Sequence, residues 1–314
     1  MTGIDTVTAV ADFRTVRDFI RHAVSQFNTA DLSYGHGTTS AWDEAVFMVL
    51  EALRLPVDQL EPYLDARLAT PERTRLAGLI EARVKTRKPA SYLLNRAYIQ
   101  GFPFYVDERV IVPRSYIGEI LFSGIFSGEG LALVDDPTEP VHVLDLCTGS
   151  GCLAILAAHV FPEADIDAVD LSPDALSVAR RNVKDYAFEE RIRLFEGDLF
   201  SPLKGRRYDV ILTNPPYVDA SSMETLPPEF RHEPSVALAS GEDGLDLVRR
   251  ILRESPHYLT EKGGILCEFG TGREILEAEY PDLDFLWVET ESSFGEVFWL
   301  TRKQLVAGGR DRYR

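Results

Sequence analysis

The sequence predicts an α/β protein, a doubly wound, mostly parallel seven-stranded sheet preceded by a smaller helical domain. Three observations carry that expectation. After Pro140, short apolar runs alternate with amphipathic stretches of helical period. Before about residue 97 the helical period dominates. The length of 314 residues suits two domains of roughly 100–200 residues each.

The elements follow in order. Apolar residues recur at helical spacing at Val16, Phe19, Ile20, Ala23, Val24 and Phe27, then over Trp42–Leu53, then at Leu76, Leu79, Ile80 and Val84. On this pattern Trp42 belongs to the core, and His36 to a turn. Ser40 and Thr70 are the expected helix starts, the latter followed by Pro71 and Glu72 in the first turn. Between Tyr98 and Pro113 the runs PFYV and RVIV read as a hairpin. The expected boundaries are therefore a helical domain over 1–96, a hairpin linker over 97–114, and the α/β domain over 115–314.

Seven strands are expected in that last domain: VHVLDL, DIDAVD, RIRLFEG, YDVILT, GGILCEFG, FLWVET and EVFWL. Helices are expected from Cys152 to Phe161, after a Ser172 cap with Pro173 in the first position, and over Leu245–Tyr258. The segment from about Val218 to Glu242 shows no period, and a connection that long points to function.

Composition excludes several classes. The chain is 45% hydrophobic and 26% charged, which rules out fibrous and largely disordered proteins. Fifty acidic against 33 basic residues give a net charge of −17, unsuited to holding a phosphate backbone unaided. A basic partner suits it better. The imbalance is local: residues 1–110 carry 13 Lys/Arg and 14 Asp/Glu, residues 111–314 carry 20 and 36. Cys147, Cys152 and Cys267 form no CxxC pair and have no histidine cluster beside them, so neither a disulfide framework nor a metal site is expected, and a reducing, cytoplasmic setting fits. The stretch MTGIDTVTAVADF lacks the positive charge of a signal peptide, and no apolar run reaches membrane-spanning length. A soluble, unprocessed protein with no membrane contact is expected.

Four motifs carry chemistry. In VLDLCTGSGCLAI (Val143–Ile155) a buried strand ends in a glycine-rich turn that opens a helix, a phosphate- or ligand-facing arrangement in which Gly149 and Gly151 allow close approach of backbone. Gly149-Ser150-Gly151-x-x-Ala154 also satisfies a dinucleotide fingerprint. Asp145 at the strand end argues against a pyrophosphate and for a cationic donor carrying a sulfonium and an ammonium. Asp170, at the end of the next strand, can accept both hydroxyls of an adenosine ribose, or can simply sit at a helix N-terminus. In Gly197-Asp198-Leu199-Phe200, Asp198 can accept an adenine amine while Leu199 packs on the ring, although Gly-Asp is also a common turn.

Asn214-Pro215-Pro216-Tyr217, directly after YDVILT, is the decisive motif. Two prolines fix the backbone and remove two donors, leaving carbonyls free to bind a ligand at the strand end. The Asn214 amide oxygen and the Pro215 carbonyl can accept both hydrogens of a substrate –NH2, and Tyr217 can stack on the flat group. An amide nitrogen is a poor nucleophile, so catalysis here would come from orientation and electrostatics. The alternative is a rigid proline turn.

Together DLCTGSG, VDLSPDAL, GDLF and NPPY resemble the class I S-adenosylmethionine-dependent methyltransferases of Rossmann-like fold, and NPPY after a helical domain resembles the protein glutamine N5-methyltransferases. One branch of that family modifies release factors, the other the third large-subunit ribosomal protein. YGHGTTSAWDEA (Tyr34–Ala45) and FYVDERVIVPRSYIGE (Phe104–Glu119) resemble the ribosomal-protein branch; the release-factor branch usually has PRxxTE at Pro113–Glu119. The resemblance implies that Asp145, Thr148, Gly149, Ser150 and Gly151 line the donor, that Asp170 and Leu171 hold its ribose side, and that Asp198 and Leu199 sit at its adenine. It implies that Asn214, Pro215, Pro216 and Tyr217 bind and orient the glutamine amide, with Asn214 reaching the donor as well. Phe104 and Tyr105 would close over the donor's methionine part or serve as core. Pro228–Pro234 and Ser240–Ile251 read as a substrate-side loop in which His232 is solvated.

The expected activity is thus methyl transfer from S-adenosylmethionine to a glutamine of that basic ribosomal protein, the helical domain helping to select it. The rivals are the release-factor reaction, a nucleic-acid amine methyltransferase, and a nicotinamide oxidoreductase that would leave NPPY unexplained.

Overall fold

The computed structural model describes residues 5–126, 133, 141–291, 293 and 295–308. Residues 1–4 of the N-terminal stretch and 127–132, 134–140 and 309–314 of the expected α/β domain lie outside the described residues. The chain forms two compact units: Met1–Ala97 with Val106–Glu108 and Leu226–Glu233, and Tyr98–Tyr105 with Arg109–Thr225 and Pro234–Arg314. Among the described residues no helix is long and apolar enough to cross a membrane.

The first unit holds helices α1 (Thr6–Asp12), α2 (Val16–Thr29), α3 (Ala41–Leu53), α4 (Thr70–Thr86) and α5 (Ala90–Leu94). A capping box opens α2: the Thr15 hydroxyl accepts the Asp18 N–H and the Asp18 carboxylate accepts the Thr15 N–H. Ser40 caps α3 as expected, accepting the Asp43 N–H at 3.1 Å. Thr70 does not cap α4. It is already helical; Ala69 stands at the cap, and Glu72 reaches back to accept the Ala69 N–H at 2.7 Å. Phe19, Ile20, Phe27, Ala45, Met48, Val49, Leu76 and Ile80 form the core. Trp42 is not in it: the residue is 52% exposed, although Val49, two turns later on the same side of α3, is fully buried, so the core covers the later turns of that side and leaves its start open.

Residues 226–233 complete this unit. Glu229 is fully buried beside Arg87 (2.7 Å) and Arg83 (3.8 Å) and accepts the Ser33 N–H at 3.1 Å; Arg83 in turn pairs with buried Glu44 at 2.5 Å. The Phe230 ring lies 4.2 Å from that of His36, over Gly35, where a Cβ would approach it to 3.1 Å at a φ of +125°. His36 is thereby a buried turn residue. His232 departs from the solvated expectation, since its Nε2 lies 3.0 Å from the Thr86 carbonyl oxygen and its Nδ1 3.5 Å from Glu108.

In the hairpin, β1 (Ala97–Ile99) turns through Gln100 and Gly101, both at positive φ, into β2 (Phe102–Phe104). The run RVIV, expected as a strand, is irregular. Val110 and Val112 bury their side chains singly there, before Pro113 removes a ladder donor.

After α6 (Tyr116–Phe122) the second unit runs β3 (His142–Leu146), α7 (Cys152–Val160), β4 (Asp165–Asp170), α8 (Pro173–Asp185), β5 (Ile192–Glu196) and β6 (Tyr208–Thr213). Then come α9 (Ala220–Thr225), α10 (Asp246–Glu254), β7 (Leu259–Glu268), α11 (Arg273–Glu279), β8 (Leu286–Trp287), β9 (Val297–Thr301) and α12 (Arg302–Gly308). Seven strands form one sheet in the order β5-β4-β3-β6-β7-β9-β8. Strands β3 to β7 are parallel, and β9 is antiparallel to both its neighbours. Alternation sends Val143, Ile166 and Val210 into a core with Ile155 and Phe161, and Leu144, Ile211 and Ile265 into another with Val248 and Ile251. The chain steps outward from β3 to β5 and returns to lay β6 on the other side of β3. That reversal opens a crevice at the carboxyl ends of these strands.

Candidate active site

The crevice is shaped first by the turn after β3. Cys147, Gly149 and Gly151 all adopt positive φ (59°, 55° and 79°), conformations that are costly for cysteine and free for glycine. A Cβ on Gly151 would stand 3.2 Å from that of Ala179, so glycine there lets α8 press on the turn. Asp145 is fully buried beneath it; one carboxylate oxygen accepts from the Thr148 hydroxyl (2.5 Å) and the Ala154 N–H (3.0 Å). Its Oδ1 has no hydrogen-bond partner among the described residues. Burial pushes this carboxyl up to about 7, against the pull of those two hydrogen bonds.

Asp170, at the end of β4, accepts the N–H groups of Gly149 (2.8 Å) and Ser172 (2.9 Å). It ties the glycine turn to the start of α8, where Ser172 accepts the Ala175 N–H as the expected cap. Burial raises its pKa. After β5, Asp198 pairs with Arg250 of α10 at 2.9 Å, and Leu199 adopts a φ of +48°.

After β6, the Asn214 Nδ2 donates to the Arg114 carbonyl oxygen at 3.2 Å, which fixes the amide with its oxygen as the remaining acceptor. Pro215 is buried. The Tyr217 ring rests on Gly270, where a Cβ would come within 2.9 Å of it, and the Tyr217 carbonyl oxygen lies where a Cβ on Gly244 would come within 2.3 Å. Val218 bonds in both directions to the returning chain, to the Leu238 carbonyl oxygen and from the Ser240 N–H. Part of the long aperiodic segment thus folds back beside NPPY.

These features enclose a cavity of about 450 Å³. Of the residues expected at the site, Gly149, Asp170, Leu171, Asp198, Leu199, Asn214 and Pro216 line it together. Thr148, Ser150 and Asp145 are buried behind the glycine turn, and Gly151, Pro215 and Tyr217 likewise support the walls without lining them. Phe104 is wholly core, and the Tyr105 backbone is bonded to Asn182. Walls to which the sequence assigned no role are Arg109–Ile111, Cys147, Val236, Ala237 and Ala239, whereas Ser240, Gly241, Leu247 and Arg250 belong to the Ser240–Ile251 stretch expected on the substrate side and line the same cavity as Asp170 and Asp198. The helical period sets Leu247 and Arg250 on one face of α10, but only the tertiary structure brings that face and the other walls to the cavity.

Glu268, at the end of β7, is a further buried carboxyl near the site. It accepts from the Ser115 hydroxyl (2.6 Å) and the Tyr116 N–H (2.9 Å), and burial pushes it up to about 7.

Comparison with known proteins decides the family. Residues 131–230 match the Methyltransferase small domain family. The ribosomal protein uL3 glutamine methyltransferase of Bradyrhizobium diazoefficiens is 56% identical over 293 residues, covering 93% of this chain and 92% of its own length. This chain belongs to that family. The uL3 glutamine methyltransferases of Burkholderia pseudomallei (50% identical, 96% of this chain and 98% of its own) and Neisseria meningitidis serogroup B (53%, 95% and 96%) agree with it. Among solved structures, a methyltransferase from Pyrococcus furiosus aligns with a TM-score of 0.47 at 14% identity, covering 65% of this chain and 90% of its own. The expectation of a class I methyltransferase fold with a helical N-terminal region, and of the ribosomal-protein branch, is borne out.

Proposed function

We propose that this uL3 glutamine methyltransferase family member transfers the methyl group of S-adenosylmethionine to a glutamine side-chain amide of ribosomal protein uL3. The observation that carries the reading is Asn214: its Nδ2 is committed to the Arg114 carbonyl, so its oxygen is an oriented acceptor on a cavity shared with Asp170 and Asp198. The orphaned, buried Oδ1 of Asp145 fits a cationic donor, whose ammonium would supply the missing partner through a water, since the carboxylate stands behind the glycine turn and not on the cavity wall. Asp170 retains lone pairs for ribose hydroxyls. Asp198 would take the adenine amine in competition with Arg250, and the exposed side chains of Leu171 and Val236 would flank the ring.

When bound, the donor supplies an electrophilic methyl on a positively charged sulfur. The Asn214 oxygen and the Pro215 carbonyl would accept the two amide hydrogens of the glutamine, aiming the nitrogen lone pair along the methyl–sulfur bond. The carbon–nitrogen bond would form as the carbon–sulfur bond breaks, the sulfur leaving as a neutral thioether. The amide would stay neutral until then, and the strongly acidic N-protonated product would pass its proton to solvent water, so no strong base is required. Tyr217, seated on Gly270, would support the planar group.

The helical unit is assigned to substrate selection, and the acidity of residues 111–314 to attracting a basic ribosomal protein. Labelled methyl transfer into purified uL3, with a release factor as the competing acceptor, tests the reading. Incorporation into uL3 is expected; incorporation into the release factor alone would overturn the assignment.

A further inference from the structure

Asn182 stands in the interior of α8 with 1% of its surface exposed. Asparagine is a poor helix former, and a buried carboxamide is costly unless its groups are bonded. Here they are. The Nδ2 donates to the carbonyl oxygens of Ser150 (2.8 Å) and Tyr105 (3.0 Å), and the Oδ1 accepts the Tyr105 N–H at 2.8 Å. One side chain therefore joins the helix, the glycine turn and the irregular segment that follows β2.

Its neighbours on α8 serve the same two segments. Ala179 meets Gly151, the Arg181 guanidinium lies 3.5 Å over the Tyr105 ring, and the Ser177 hydroxyl accepts from Arg109 at 3.1 Å. Asn182 does not line the cavity, whereas Gly149 on the turn and Arg109–Ile111 beyond Tyr105 do.

We propose that Asn182 is a positioning residue for the methyl donor, locking the glycine turn and the Tyr105 segment to one helix so that both walls are set before the donor arrives. A site already ordered loses little freedom on binding, and loosening it weakens affinity. The proposal rests on the reading of this cavity as the donor site.

The test is calorimetric titration of the full-length protein with S-adenosylmethionine in the absence of uL3, alongside steady-state transfer. Asn182→Ala is expected to weaken donor binding about tenfold or more, with kcat at saturating donor and acceptor within about threefold, because Asn214 and Tyr217 are untouched. Val183→Ala is the control for instability: it truncates the adjacent buried side chain, which packs into the core, and its donor affinity should stay within about twofold of the unaltered protein. Asn182→Gln keeps every hydrogen-bonding group but shifts it by one methylene, and covers the case in which alanine does not fold; it too should weaken the donor with kcat preserved.

Donor affinity unchanged in both Asn182 variants, or weakened equally by Val183→Ala, overturns the inference. Failure of the unaltered protein to bind the donor overturns the donor reading itself, and the inference with it.

Discussion

Asn214 is where residue-level geometry has its largest effect. Its amide is oriented by a hydrogen bond to the Arg114 carbonyl, so Asn214→Ala removes the oriented oxygen to which the proposed mechanism gives the substrate amide, and little else. On the proposed mechanism kcat should fall by about 10² or more, as for loss of one oriented polar group in other active sites, with donor affinity within about threefold. Labelled transfer and calorimetry read the two quantities separately. Equal losses in both would mean that Asn214 serves the donor alone. Glu268 offers a different residue-level prediction. Its folded pKa of about 7 lies above its ordinary value of 4.5, so the fold favours the protonated form. The stability this contributes is fully present below about pH 4.5 and is lost as pH rises through 7. Glu268→Gln, which mimics the neutral acid, should melt with a flatter pH dependence than the unaltered protein between pH 5 and 8. Parallel melting curves would contradict the assignment.

Among the elements, the turn after β3 and the loop after β6 depend on glycine for unequal reasons. Gly149 needs only its φ of 55°, with open space where a Cβ would stand, whereas Gly244 combines a φ of 80° with the Tyr217 carbonyl 2.3 Å from that position. Gly149→Ala should cost about 1 kcal/mol of stability, from the left-handed backbone alone. Gly244→Ala should cost more, about 2–3 kcal/mol, and displace Tyr217. Urea denaturation with a transfer assay separates the costs: Gly244→Ala should lose activity through the displaced Tyr217, and Gly149→Ala through a methyl group added to a wall of the cavity read as the donor site. This contrast also explains what the sequence could reveal. Strand ends, the Ser40 and Ser172 caps, and the four motifs depend on neighbours within a few positions, and they were legible. The cap at Ala69, the irregular RVIV run and the exposure of Trp42 depend on which stretches the tertiary packing covers. Arg250 has the charge of a solvated surface residue, and only the folded chain sets it against Asp198. Asn182 is one polar letter in an amphipathic helix until its partners at Tyr105 and Ser150, 77 and 32 positions away, are known.

Across the whole molecule, charge and ion pairing carry the predictions. Residues 111–314 hold 36 acids against 20 bases. If these attract uL3, association should slow as salt is raised from low to physiological ionic strength, where the Debye length is about 8 Å. Stopped-flow binding measures this, and a salt-independent on-rate would leave the acidity as solubility charge. Glu229 tests the other unit. With Arg83 and Glu44 fully buried beside it, Glu229→Ala leaves arginine charge without one of its acids, an expected loss of about 3–5 kcal/mol. Hydrogen exchange in α2 to α4 should then accelerate well ahead of exchange in β3 and β6.

The same buried acid bears on the order in which the chain can be finished. Ser33 and Glu229 are 196 positions apart. A ribosome has therefore made the helices of the first unit, and most of the sheet, before it makes the residues that cover Gly35 and His36 and complete the charge around Arg83. Until then Arg83 has Glu44 but not Glu229, and Gly35 and His36 lack the Phe230 ring. A fragment ending near residue 97 would be left in that state, whatever helices it formed. The part of the protein synthesised first thus waits for the loop that follows NPPY to complete its buried charge cluster.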